Sequence, residues 1–211
     1  MWTLVGVILA SYAVQSLLLT DATVVAYAES PADLARGRWV TLITSLFIHA
    51  GWVHAGSNAI GALAFAAPAA RYLGLGPKGA LGFFLLFLAC GVAANLGYDL
   101  VHWRSTTLVV GASGAVSGLL GASMRLSEHR TRLSPLTNRT VLVSSLAWIG
   151  VNWLFGVLHY SPGIGRVNLA WETHVIGYFA GLLLIGPFGA LFAAPPKAED
   201  ESGEGSIQSE A

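Results

Sequence analysis

The chain has 211 residues, 55% of them hydrophobic and only 10% charged, against about 25% charged in an ordinary soluble domain. That depletion, with a mean hydropathy of +0.65, excludes a soluble globular domain and points to an integral membrane protein in which most of the chain takes part. The 11 basic and 11 acidic residues cancel, which argues against nucleic acid as a partner, and a single cysteine, Cys90, excludes an intrachain disulfide.

Six apolar stretches with charge-free interiors run over roughly 2–20, 52–70, 79–98, 107–124, 140–158 and 173–195. Each has about the 20 residues that cross a ~30 Å hydrocarbon core as a helix. The expected fold class is therefore all-α, a polytopic bundle of six transmembrane helices occupying 1–195, with no internal repeat and no second domain. The first stretch also resembles a signal peptide, because Ala26-Tyr27-Ala28 has the small residues of a cleavage site. No Lys or Arg precedes it and Asp21 intervenes, so it reads as a spanning helix. The connection at about 21–51 is long; its apolar Leu42 to Ile48 is too short to cross and is expected in the interface, with Trp39 at headgroup level. After Pro196 the chain turns acidic, with Glu199, Asp200, Glu201, Glu204 and Glu210, and 196–211 reads as a disordered cytoplasmic tail.

Orientation follows from the basic residues of the connections. Arg71, Lys78, Arg125, Arg130, Arg132, Arg139 and Lys197 lie on one side, and Arg36, Arg38, Arg104 and Arg166 on the other. Seven against four places both termini in the cytoplasm and the starts of spans two, four and six at the outer face of the plasma membrane.

Polar side chains at membrane depth are functional candidates, and they gather at those same three starts. Span two opens with His54 and Asn58, four apart and so on one helix face. Span four opens with Ser113, and span six with His174, followed by Gly177 and Gly181. A hydroxyl becomes a nucleophile when a neighbouring neutral histidine takes its proton, and Ser113 with His174 supply those roles without an acidic orienter. The Ser113 amide at a helix N-terminus, with Asn58 and His54, supplies donors for a developing oxyanion. Helix axes ordinarily lie 8–10 Å apart. Gly114, Gly118 and Gly121 on span four, with Gly177 and Gly181 on span six, permit the closer approach that a serine–histidine hydrogen bond requires.

These residues resemble the rhomboid family of intramembrane serine proteases, over about Trp39 to Gly181. The GxSG pattern stands as Gly111-Ala112-Ser113-Gly114, H-x-x-G-x-x-x-G as His174 to Gly181, and H-x-x-x-x-H-x-x-x-N as His49, His54 and Asn58. The resemblance implies Ser113 as nucleophile, His174 as general base, and oxyanion donors from His54, Asn58 and the Ser113 amide. It also implies hydrolysis of transmembrane protein substrates near their outer ends, from a water-filled cavity opening outward, with no metal and no cofactor. Three positions depart from the family pattern: Ser117 stands where many rhomboids carry an aromatic against the histidine, Trp39-Val40 replaces a Trp-Arg pair, and Thr173 stands where alanine is frequent.

Taken singly, Ser113 reads as a packing serine bonded back to a carbonyl; its depth, shared with His174 and Asn58, reverses that reading. His49 is expected to hold the loop, His102, His129 and His159 to be solvated or headgroup-facing, and Trp148, Trp153 and Phe155 to face lipid. A zinc protease would need H-E-x-x-H, and an aspartyl intramembrane protease two membrane aspartates, for which Asp99 is the only candidate and has no partner. A transporter would show an inverted repeat. The remaining alternative is a rhomboid-like protein that binds transmembrane helices without cutting them, against which both Ser113 and His174 stand.

Overall fold

The computed structural model describes residues 1–127, 132–161, 165–166 and 170–193. The acidic tail, Lys197, His129 and Arg130 lie outside the described residues. Within them the regular structure is helical apart from a two-residue antiparallel pairing of β1 (Tyr160–Ser161) with β2 (Gly165–Arg166) and an isolated bridge between Glu29 and Val109.

The long helices are α1 (Trp2–Leu18), α5 (Trp52–Leu73), α6 (Pro77–Val101), α7 (Ser113–Arg125), α8 (Arg139–Leu158) and α9 (Trp171–Phe192). Their ends follow local chemistry. Gly74, at φ +103, closes α5 in a conformation glycine adopts freely, and Pro77 opens α6 where its missing N–H costs nothing. The Asn138 side chain caps α8, its Oδ1 accepting from the Thr140 amide at 2.8 Å. Of these helices α6, α8 and α9 are long and apolar enough to cross a membrane by themselves, so this is a membrane protein. The 17 residues of α1 and 13 of α7 reach only about 26 and 20 Å at 1.5 Å per residue. α5 is long enough but carries His54, Ser57, Asn58 and Arg71.

α7 is the hub, packed against α5, α6 and α9. Its buried face is nearly all small: Gly114, Ala115, Ser117, Gly118, Gly121, Ala122 and Ser123. Against α9 the contact is backbone on backbone. A Cβ on Gly177 would fall on the Gly114 carbonyl oxygen, one on Gly181 on that of Gly118, and one on Gly121 on that of Tyr178.

Two segments differ from expectation. Residues 107–112 are not helical, although apolar, so the fourth long helix begins six residues later than expected, at Ser113. Glu29 and Val109 exchange backbone hydrogen bonds at 3.0 and 2.7 Å, and the Gly111 amide donates to the Ser45 carbonyl at 2.9 Å. The backbone polarity of this stretch is thus satisfied by the first connection, which a helix would have left unpaired. The first connection is itself folded, as α2 (Asp21–Tyr27), α3 (Pro31–Ala35), α4 (Thr41–Thr44) and a 3₁₀ turn over Ser45–Phe47. Leu42, Leu46 and Ile48 are buried against the rest of the protein, while Ile43 and Trp39 are 44% and 62% exposed. Polar anchors hold the connection in place. Gln15 of α1 clamps both backbone groups of His49, at 2.8 and 2.9 Å. Asn95 of α6 donates to the Leu42 carbonyl and the Ser45 hydroxyl, each at 3.0 Å. Arg38 bridges Asp33 at 2.8 Å and the Ala26 carbonyl.

Asp99 does have a carboxylate neighbour. Glu29, in the first connection, and Asp99 on α6 are both fully buried and face one another, with the Thr41 hydroxyl beside Glu29. Two carboxylates can only accept, so their contact holds when one of them is protonated. Burial, with the charges of Asp99 and Asp33 nearby, pushes the Glu29 carboxyl up to about 8. The folded protein therefore keeps a proton that the unfolded chain releases near 4.5. The stabilisation is complete below about pH 4.5 and is lost as pH rises through about 8, at up to about 1.4 kcal/mol per pH unit. Thermal denaturation in micelles between pH 5 and 8.5 is expected to show a falling midpoint for wild type and a flatter one for Glu29→Gln.

Candidate active site

Three helices and one loop bring the predicted residues together. α5 presents His54 and Asn58 one turn apart. α7 begins at Ser113, whose amide, the first of the helix, has no intrahelical carbonyl to bond. α9 presents His174 in its first turn. His174 Nε2 and Ser113 Oγ are 2.9 Å apart, hydrogen-bond distance between side chains 61 positions apart in the chain. The approach is possible because Gly177 and Gly181 set α9 directly on the carbonyls of α7.

Gly111 shapes the other side. At φ +108 it turns the chain into α7, and a Cβ there would meet the His54 ring. Gly111 therefore cannot be replaced without both strain and overlap, and its bareness is what seats His54 and Asn58 beside the loop that delivers Ser113. Asn58 Nδ2 is buried without a hydrogen-bond acceptor among the described residues. A buried, unpaired amide is costly, and this one stands ready for an acceptor. The Ala50 amide donates to His54 Nδ1 at 3.4 Å; Nδ1 is then the acceptor of the neutral ring, and the hydrogen sits on Nε2, the nitrogen on the Gly111 side.

His49 sits behind the site, 1% exposed, its ring edge-on to Tyr12 and to His54 at 6.4 and 5.3 Å. Burial pushes its imidazole down to about 4, so it is neutral at physiological pH. Its backbone, held by Gln15, fixes the connection entering α5. Ser117 is the back-bonded serine: its hydroxyl donates to the Ser113 carbonyl at 2.8 Å. His102 is not simply solvated, since its Nε2 lies 3.1 Å from Glu172 Oε1, joining the end of α6 to the start of α9.

Two residues of α8 were not expected here. Asn152 Oδ1 lies 2.8 Å from His174 Nδ1. Trp148, expected to face lipid, is partly buried, stacks on Tyr178 and donates from Nε1 to the His174 carbonyl at 3.3 Å. Trp153 is 53% exposed. The signal for Asn152 was an amide between Val151 and Trp153 in an otherwise apolar run. Among the described residues no cluster of three or more His, Cys, Asp or Glu could hold a metal ion.

A helical membrane bundle with a serine and a histidine in contact across two glycine-packed helices defines the class. Residues 36–190 match the Rhomboid domain, well over half the chain, and the protein belongs to the rhomboid family. It is 29% identical over 157 residues to the rhomboid-protease relative YdcA of Bacillus subtilis, covering 72% of this chain and 68% of that protein. It is 26% identical over 178 residues to the rhomboid protease GluP of the same organism, covering 83% of this chain but 30% of GluP. Rhomboid-like protein 11, chloroplastic, of Arabidopsis thaliana is 37% identical over 86 residues, 41% of this chain and 29% of that one.

Proposed function

We propose that the protein is an intramembrane serine endopeptidase that hydrolyses peptide bonds in or near the transmembrane segments of other membrane proteins. The observation that carries this reading is the 2.9 Å contact between Ser113 Oγ and His174 Nε2. In the reaction, His174 Nε2 takes the hydroxyl proton as Ser113 Oγ attacks the scissile carbonyl carbon. The resulting oxyanion accepts hydrogen bonds from the Ser113 amide, Asn58 Nδ2 and His54 Nε2–H. Collapse breaks the C–N bond, and His174 returns the proton to the leaving amine. Water, deprotonated by the same nitrogen, then hydrolyses the acyl-enzyme and restores Ser113.

The same reading places six helices across the plasma membrane, with both termini cytoplasmic and the site opening to the outer face, and takes single-span proteins in the bilayer as substrates. A serine-directed phosphonate probe is expected to label the purified protein at one site, mapped to Ser113 by mass spectrometry. Co-expression with tagged single-span candidates should give cleavage products that vanish in Ser113→Ala. A wild-type protein that neither labels nor cleaves would leave the non-catalytic helix-binding reading in place.

A further inference from the structure

Asn152 is 3% exposed in an α8 that is otherwise apolar around it. An amide at that depth needs partners for both its ends, and the partners here determine the state of the histidine. Asn152 Nδ2 donates to the Trp148 carbonyl at 2.9 Å. A carbonyl only accepts, so this bond decides which end of the amide faces α9, and that end is Oδ1. Oδ1 also only accepts. The 2.8 Å contact with His174 Nδ1 therefore requires the hydrogen on Nδ1. A neutral imidazole carries one N–H, which leaves the lone pair on Nε2, the nitrogen 2.9 Å from Ser113 Oγ. Each assignment forces the next, from a helix carbonyl to the nucleophile.

We infer that Asn152 is the positioning residue of this site, setting the tautomer and ring plane of His174 from α8. The inference rests on the serine-hydrolase reading above. An amide performs this task without placing a second charge at membrane depth, where an ionised carboxylate is costly. The bond comes from α8 and not from α7, where Ser117 uses its hydroxyl on the Ser113 carbonyl. Trp148 fixes the two helices at the same level through the His174 carbonyl, so amide and imidazole are held in register.

In the full-length protein in micelles, Asn152→Leu is expected to lower kcat about 10²-fold with KM changed by less than about twofold. Asn152→Asp keeps an acceptor opposite Nδ1. It should recover most of the lost rate, with the acid limb of the pH–rate profile about one pH unit or more higher. A purely structural role would not move that limb. Nitrogen-15 histidine spectra, with the His174 signals identified by their loss in His174→Ala, report the tautomer directly. Wild type should show an unprotonated Nε2, and Asn152→Leu should show the Nε2-protonated form appearing. An unchanged tautomer in Asn152→Leu, or an unchanged kcat, overturns the inference, and so does an Asn152→Asp variant no better than Asn152→Leu. Because the spectrum does not depend on turnover, a wild type with the expected tautomer but no labelling or cleavage sinks the protease reading and not the placement of Asn152.

Discussion

His174→Ala is expected to reduce cleavage of a tagged single-span substrate by about 10⁴-fold while leaving the fold intact. At neutral pH a serine hydroxyl is a poor nucleophile, and no other described side chain is recorded in hydrogen-bond contact with Ser113 Oγ. Without the imidazole the attacking oxygen keeps its proton, and the leaving amine has no donor. The ring is only partly buried, so its loss opens no large enclosed cavity, and the thermal midpoint should stay within a few degrees of wild type. Rates with saturating substrate in micelles, beside a denaturation curve, separate the two effects. A variant retaining about a tenth of the wild-type rate would remove His174 from the reaction.

Gly181→Ala is expected to destabilise the bundle by about 3 kcal/mol, the upper part of the range for adding a methylene to a packed core, and to lose activity with it. The added methyl would coincide with the Gly118 carbonyl oxygen. Backbone atoms cannot rotate aside, so α9 must move away from α7. His174 and Ser113, on those two helices, would leave hydrogen-bond distance. Gly150→Ala is the control, because nothing lies within 4 Å of a Cβ at that position of α8; its stability should equal or slightly exceed that of wild type. Denaturant titration of both variants tests the pair. Equal stabilities would mean that the α7–α9 contact carries no special constraint.

The helices and the residues that meet were legible because they are marked by composition. Apolar runs of spanning length, and polar side chains interrupting them at one depth, can be read without knowing the partners. The contact of Ser113 with His174 was inferable for the same reason, together with glycines on both sides. What could not be read depends on who satisfies whom. Residues 107–112 looked like helix because they are apolar, and the hydrogen bonds that Val109 exchanges with Glu29 and that the Gly111 amide donates to the Ser45 carbonyl hold them in another conformation. The packing of Leu42 to Ile48 against the helices could not be read because Asn95, which holds that segment, and Gln15, which holds His49 just after it, lie 50 and 34 positions away from their partners. Asp99 looked solitary because Glu29 lies far from it in sequence, in the first connection. Asn152 was visible as an oddity, but its role depends on a rotation of α8 that no local pattern states.

The meeting of α7 and α9 has a mechanical consequence. Helices that touch through side chains can slide by small rotamer adjustments, so their spacing has some give. Here carbonyl oxygens lie where methyl groups would be, and bare main chain offers no such slack. Main-chain contact sets the spacing of the two helices, and it is this spacing that brings hydroxyl and imidazole within reach of each other. Of the three helices apolar enough to cross a membrane, α8 is the least enclosed, with 22% of its apolar stretch buried inside the protein against 50% for α6 and 33% for α9. The separation of serine and histidine is therefore set at the tightest helix contact of the bundle, and the alignment of the imidazole from its most loosely held helix.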